Sequence, residues 1–160
     1  MTDSAALPLA DAATTAAAHD WLAALSAAVQ AVDFAAGRAL WDPAVVIFGT
    51  HRRLEHGLDA AVARQWSNVW PVTSGFAFRM EEVIVMAEPG AALATVVAPW
   101  DSTGYGPDGT PFARPGRATL LLRRGADGTW RCVHSHMSLE RGVPQDSFGP
   151  DGTRRPVIGG

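Results

Sequence analysis

Two stretches decide how this chain of 160 residues reads: Trp130 to Leu139, WRCVHSHMSL, and Val45 to Asp59, VVIFGTHRRLEHGLD. The first predicts a strand. On it, Trp130, Cys132, His134, His136 and Ser138 leave by one face, and Arg131, Val133, Ser135, Met137 and Leu139 by the other. In the second, the β-branched and aromatic run Val45 to Gly49 predicts another strand. Thr50 to His56 returns beside it until Gly57 ends the pairing. Parity alone leaves open which face of the last strand lines a cavity and which meets a second subunit. The apolar set Val133, Met137 and Leu139 suits a pocket wall.

Upstream, Asp11 is placed to cap a long amphipathic helix whose stripe is Trp21, Leu22, Leu25, Val29 and Val32. A shorter helical piece, Phe34 to Trp41, runs up to Asp42-Pro43. Leu58, Val62, Trp66 and Val69 give a third helical period, closed by Pro71. Beyond it the chain reads as antiparallel strands over Gly75 to Met86, Ala91 to Trp100, Phe112 to Arg124 and Thr129 to Glu140. Pro-Gly and Asp-Gly turns separate them. Helices grouped ahead of a meander predict an α+β domain with the helices on one face of a sheet. Residues 1–10 read as a flexible arm, 11–141 as the domain, and 142–160 as a Pro- and Gly-rich tail.

Composition narrows the chemistry. A content of 48% hydrophobic and 18% charged residues fits one compact domain. A net charge of -3 gives no general attraction to nucleic acid or an anionic membrane. The arginine pairs at 52–53, 123–124 and 154–155 read as solvated hairpin and tail residues. No apolar run approaches the roughly 20 residues that span a bilayer, and no basic segment precedes the Ala-rich start. The expectation is a cytoplasmic protein. A single cysteine, Cys132, excludes an intrachain disulfide. Lysine is absent altogether, which excludes Schiff-base chemistry and a phosphate-binding loop lysine.

Phe48-Gly49-Thr50, Gly57-Leu58-Asp59, Trp66, Trp70-Pro71, Ala98-Pro99-Trp100, Asp108-Gly109-Thr110 and the closing Trp130, His134, His136 and Ser138 resemble bacterial SnoaL-like proteins across about residues 11 to 141. That resemblance implies the NTF2-like (cystatin-like) cone, a curved antiparallel sheet wrapped around N-terminal helices with an apolar cavity between. The closing pattern also resembles the association domain of calmodulin-dependent kinases. The resemblance implies a homodimer, but no particular reaction. The tyrosine and the two carboxylic acids used by ketosteroid isomerase relatives align with Trp21, Phe48 and Thr119 or Leu120, none of which does that proton chemistry. The Asp-Arg-Asp relay of limonene epoxide hydrolase relatives is not recognisable. SnoaL-type cyclases use an aspartate with a nearby histidine, for which Asp101 with His134 or His136 are the candidates.

Three roles remain open for His134 and His136: structural residues at a subunit interface, general bases near neutral pH, or metal ligands with His51. No cofactor and no metal are expected. The ligand contacts expected are Trp66, Trp70, Phe78, Trp100, Thr119 and Met137, with Arg117 as a fixed positive charge. The anticipated ligand is a small apolar or aromatic molecule. Catalysis, where present, is cofactor-free acid-base work of isomerase, cyclase or lyase type by His136, Asp101 or His134; the alternative is a non-catalytic dimerisation or binding module.

Overall fold

The computed structural model describes residues 6–153. Helix α1 (Ala12–Ala31) starts where the sequence places it: the Asp11 carboxylate accepts from the Thr14 N–H at 2.7 Å. This satisfies one of the free donors of the first turn. Ala18, Trp21, Leu22, Leu25, Ala28 and Val29 form its buried stripe. Val32 does not join them. It is the C-cap, at φ 52°, and closes the helix by donating its N–H to Val29 O at 3.1 Å.

Helix α2 (Phe34–Arg38) is capped by Asp33 and stops short of the expected Trp41, which instead opens β1 (Trp41–Phe48). Leu40 O accepts from Trp21 Nε1 at 2.8 Å and from the Cys132 N–H at 3.0 Å. Tertiary partners thus take a carbonyl that a longer helix would use. Strand β2 (Glu55–His56) returns on β1. The next helix is continuous but not uniform. It comprises α3 (Leu58–Ala61), a π-helical turn over Val62–Trp66, α4 (Ser67–Val69) and a 3-10 turn over Trp70–Val72.

The expected strand from Gly75 to Met86 is broken into β3 (Ser74–Phe78) and β4 (Ile84–Met86) by a 3-10 turn at Met80–Glu82. Both pair with the long β5 (Leu93–Tyr105). Next come β6 (Pro111–Ala113), β7 (Gly116–Arg124) and β8 (Trp130–Leu139). Between β6 and β7 the ladder lapses at Arg114 and Pro115, a proline having no N–H to give. The sheet order is β2-β1-β8-β7-β5-β3, with β4 and β6 also on β5. One pair departs from the expected antiparallel sheet: β1 lies parallel to β8, close to opposite ends of the chain.

On the concave face Val45, Ile47, Val96, Ala98, Trp100, Leu120, Leu122 and Cys132 join the buried stripe of α1 in one hydrophobic core. Residues 8–10, expected in a loose arm, lie along β4: Ala10 donates to Val85 O and Ala87 to Pro8 O. Residues 1–5 and the Arg154-Arg155 pair lie outside the described residues. The first part of the tail is anchored. Buried Ser147 donates to Val72 O and accepts from the Tyr105 N–H, and Phe148 donates to Tyr105 O. This segment, 142–153, is a strap across its own subunit's sheet and helix end. No helix among the described residues is long and apolar enough to cross a membrane.

Candidate functional site

Between α1, the α3–α4 helix and the concave sheet lies a cavity of about 60 Å³. Its apolar wall is a run of aromatic rings. Trp41 meets Trp66 at 5.6 Å between centroids, Trp66 stacks on Trp70 at 4.4 Å and 14°, and Phe76 tilts against Trp100 at 5.4 Å. Leu25, Val29, Ile47, Val69 and Met137 complete it.

Its polar end is as specific. Thr50, Gln65, Ser102, Arg114 and Ser135 are buried, and all five line the cavity. The π-helical turn brings Gln65 and Trp66 to the wall together, and such turns recur at functional sites. Gln65 Oε1 accepts from the Arg52 N–H at 2.6 Å and the His51 N–H at 3.2 Å, while its amide donates to Thr50 Oγ1 at 3.5 Å. Gly49 leaves room for it, because a Cβ there would push the Gln65 amide aside. The same loop is held from below by Glu55, which is buried and accepts from Arg64 at 2.6 Å and Arg52 at 3.1 Å. Those hydrogen bonds, Arg64 first, hold its carboxyl below the usual glutamate range.

Arg114 is 3% exposed, against the outward Arg117 three residues away. Its backbone is fixed twice on β5, the N–H donating to Ser102 O at 2.8 Å and the carbonyl accepting from Ser102 Oγ at 2.9 Å. The guanidinium donates to Thr50 Oγ1 at 3.2 Å and lies 5.8 Å from the Trp100 ring centroid. Burial pushes its pKa down to about 10, partly offset by the charge of Asp146 on the strap. It is therefore a cation at neutral pH. Four buried side-chain atoms among the described residues lack any hydrogen-bond partner: Trp41 Nε1, Trp100 Nε1, Arg114 Nε and Ser135 Oγ. All four residues line this cavity.

Of the residues expected from sequence, Trp66, Trp70, Trp100 and Met137 line the cavity. Phe78 is buried beside it, edge-on to Phe76 at 5.1 Å, and is not part of the wall. Arg117 and Thr119 do not face inward. On β7 the inward positions are Gly116, Ala118, Leu120 and Leu122, so both residues stand exposed on the convex face. Asp101 is also outside, held by Arg79 at 2.7 and 2.8 Å, which lowers its carboxyl pKa.

His134 and His136 occupy the convex face as well. His134 Nδ1 bonds Val46 O at 2.8 Å, and both rings meet Phe48 edge-on, at 5.6 and 5.2 Å. They therefore stand apart from the cavity wall. Simple alternation fails on this strand: the register shifts between Leu121 and Leu122, so Cys132 and Ser135 both face inward although they differ in parity. The described residues contain no group of three His, Cys, Asp or Glu side chains arranged to hold a metal. Sequence reading missed Arg114, Trp41, Gln65 and Ser135. Arg114-Pro115 carried one usable signal, since a proline there interrupts the strand and frees the preceding residue from strand parity.

A curved sheet closed over N-terminal helices around an apolar cavity defines the cystatin-like, NTF2-like class of α+β proteins. Within that class the chain belongs to the SnoaL-like domain family, whose model matches residues 18–141. Comparison with curated proteins gives no match. Among solved structures, an NTF2-like superfamily protein of Salmonella enterica is similar with a TM-score of 0.67 at 17% identity, over 82% of this chain and 97% of that one. A ketosteroid isomerase-like protein of Erwinia carotovora atroseptica gives 0.66 at 20% identity, over 81% and 98%. The CaMKII hub of S. rosetta gives 0.66 at 20% identity, over 81% and 99%. At such identities these likenesses concern the fold alone.

Proposed function

We propose that this protein binds a small molecule with an apolar or aromatic body in the cone cavity. The observation that carries the reading is the lining itself: rings of Trp41, Trp66, Trp70, Phe76 and Trp100 around a buried polar end with unmet donors. Ligand sites are built this way, mostly apolar with a few convergent polar groups. The cavity as it stands is under half the ~150 Å³ of an apolar cavity that takes benzene. A ring therefore enters only as side chains at the wall give way, and unbranched Met137 is the most adaptable of them.

Arg114 takes the anion-stabilising place that the sequence reading gave to Arg117. It is the only ionisable side chain among the described residues of the lining. His136, His134 and Asp101 stand outside, so acid-base turnover is not part of this proposal. Titration of a panel of small aromatic molecules against tryptophan fluorescence tests it. Trp70→Ala is expected to weaken binding about tenfold, the loss of one aromatic contact. Unchanged affinity in that variant removes the cavity as the site.

A second reading concerns assembly: the protein works as a homodimer through its convex face. Phe48 is 37% exposed there, packed between His134 and His136. A large apolar ring backed by two histidines suits a face that meets its own copy.

A further inference from the structure

We propose that the ligand of the cavity carries a carboxylate, and that Arg114 receives it; this rests on the cavity being the binding site. Burial sets Arg114 apart from the other described arginines. Arg38, Arg52, Arg64, Arg79, Arg123 and Arg131 each reach a carboxylate at 2.6 to 3.3 Å, and Arg53, Arg117, Arg124 and Arg141, which form no ion pair among the described residues, are exposed to water. Arg114 is among the buried residues, yet among the described residues no carboxylate lies within ion-pair distance of it. Its hydrogen bond to Thr50 Oγ1 is to a neutral group, and its Nε has no partner. Burying a charge in this way is costly unless a counter-charge arrives.

The surrounding polar atoms point to the same chemistry. Trp41 Nε1 and Trp100 Nε1 can only donate, and Ser135 Oγ has a proton to give. Thr50 Oγ1 already accepts from Gln65 and Arg114, which leaves its own proton to donate. A site supplied with donors and one cation lacks an acceptor, and a planar carboxylate matches the edge of a guanidinium. No acidic side chain lines the cavity to repel it. Asp146 on the strap bears on Arg114 only at longer range, through its charge.

The test pairs each acid with its amide, which keeps size and shape and removes the charge. Benzoate against benzamide, and isovalerate against isovaleramide, are titrated by tryptophan fluorescence and by thermal shift. On the unaltered protein each acid is expected to bind at least tenfold tighter than its amide. Arg114→Met is expected to abolish that preference while raising the thermal midpoint of the free protein, because it removes a buried charge that no carboxylate pairs within ion-pair distance. Equal affinity for acid and amide overturns the carboxylate assignment and leaves the cavity reading standing. Failure of every acid and amide to bind overturns both. An Arg114→Met protein that is less stable and keeps the acid preference gives Arg114 a purely structural role and also overturns the proposal. The acid-amide comparison on the unaltered chain decides the matter even where the variant does not fold.

Discussion

Val32 is the one non-glycine residue with positive φ among the described residues, and it closes α1 with a β-branched side chain that is 38% exposed. A left-handed L-residue costs about 1–2 kcal/mol, part of which glycine returns through its freer unfolded chain. Val32→Gly is expected to gain about 0.5–1 kcal/mol in urea unfolding. Glu55 acts in the opposite sense. Its buried carboxylate joins Arg64 and Arg52, so Glu55→Gln leaves two cations without their partner and is expected to cost about 2 kcal/mol. The folded carboxyl titrates below its usual value, so its contribution is complete above about pH 4.3 and is lost as pH falls through the lower folded value. The gap between thermal melts of the unaltered protein and Glu55→Gln should therefore narrow as the pH is lowered from 7 to 3. A constant gap would mean that the ion pair is not what Glu55 contributes.

At the scale of elements, β7 and the strap control the cavity. Gly116 pairs with Trp100 across β5, and a Cβ there would collide with the indole and with Ser138 O. Gly116→Ala is expected to cost about 1–3 kcal/mol and to displace Trp100, so ligand affinity should fall together with stability. The strap works differently. Ser147 bonds Val72 O at the end of the α3–α4 helix and the Tyr105 N–H at the end of β5, tying down residues beside Arg114. Ser147→Ala removes both bonds, for about 1 kcal/mol of local stability, and should quicken ligand entry in stopped-flow fluorescence. An unchanged entry rate would place the path through the groove lined by Gly49, Thr50 and Met137 instead.

For the whole molecule, the cavity and the face proposed for assembly are separate sides of one sheet. Phe48→Asp is expected to give monomers by light scattering while acid binding in the cavity persists, since Phe48 points away from it. A dimer that survives the substitution would move the contact to another face. Sequence alone determined what depends on local chemistry: the Asp11 cap, the apolar stripe of α1, the helix closed near Pro71, the strand-rich second half and the SnoaL-like pattern. Of the ligand contacts it marked, Trp66, Trp70, Trp100 and Met137 line the cavity, while Phe78, Arg117 and Thr119 do not, because large apolar side chains converge on a core but their sequence does not say which of them border a cavity. Only the tertiary structure decided the rest. Arg117 was expected at the cavity on the condition that its side of the strand faces inward, and the inward side of β7 instead carries Ala118, Leu120 and Leu122, which join the core. Parity could not foresee the shift at β8 or the break at Arg114-Pro115, where one residue out of register turns a side chain from solvent into the core. Whether a charge is buried is a property of what packs over it, and Arg114 reads in sequence like any other arginine until β5, Thr50 and Trp100 close around it.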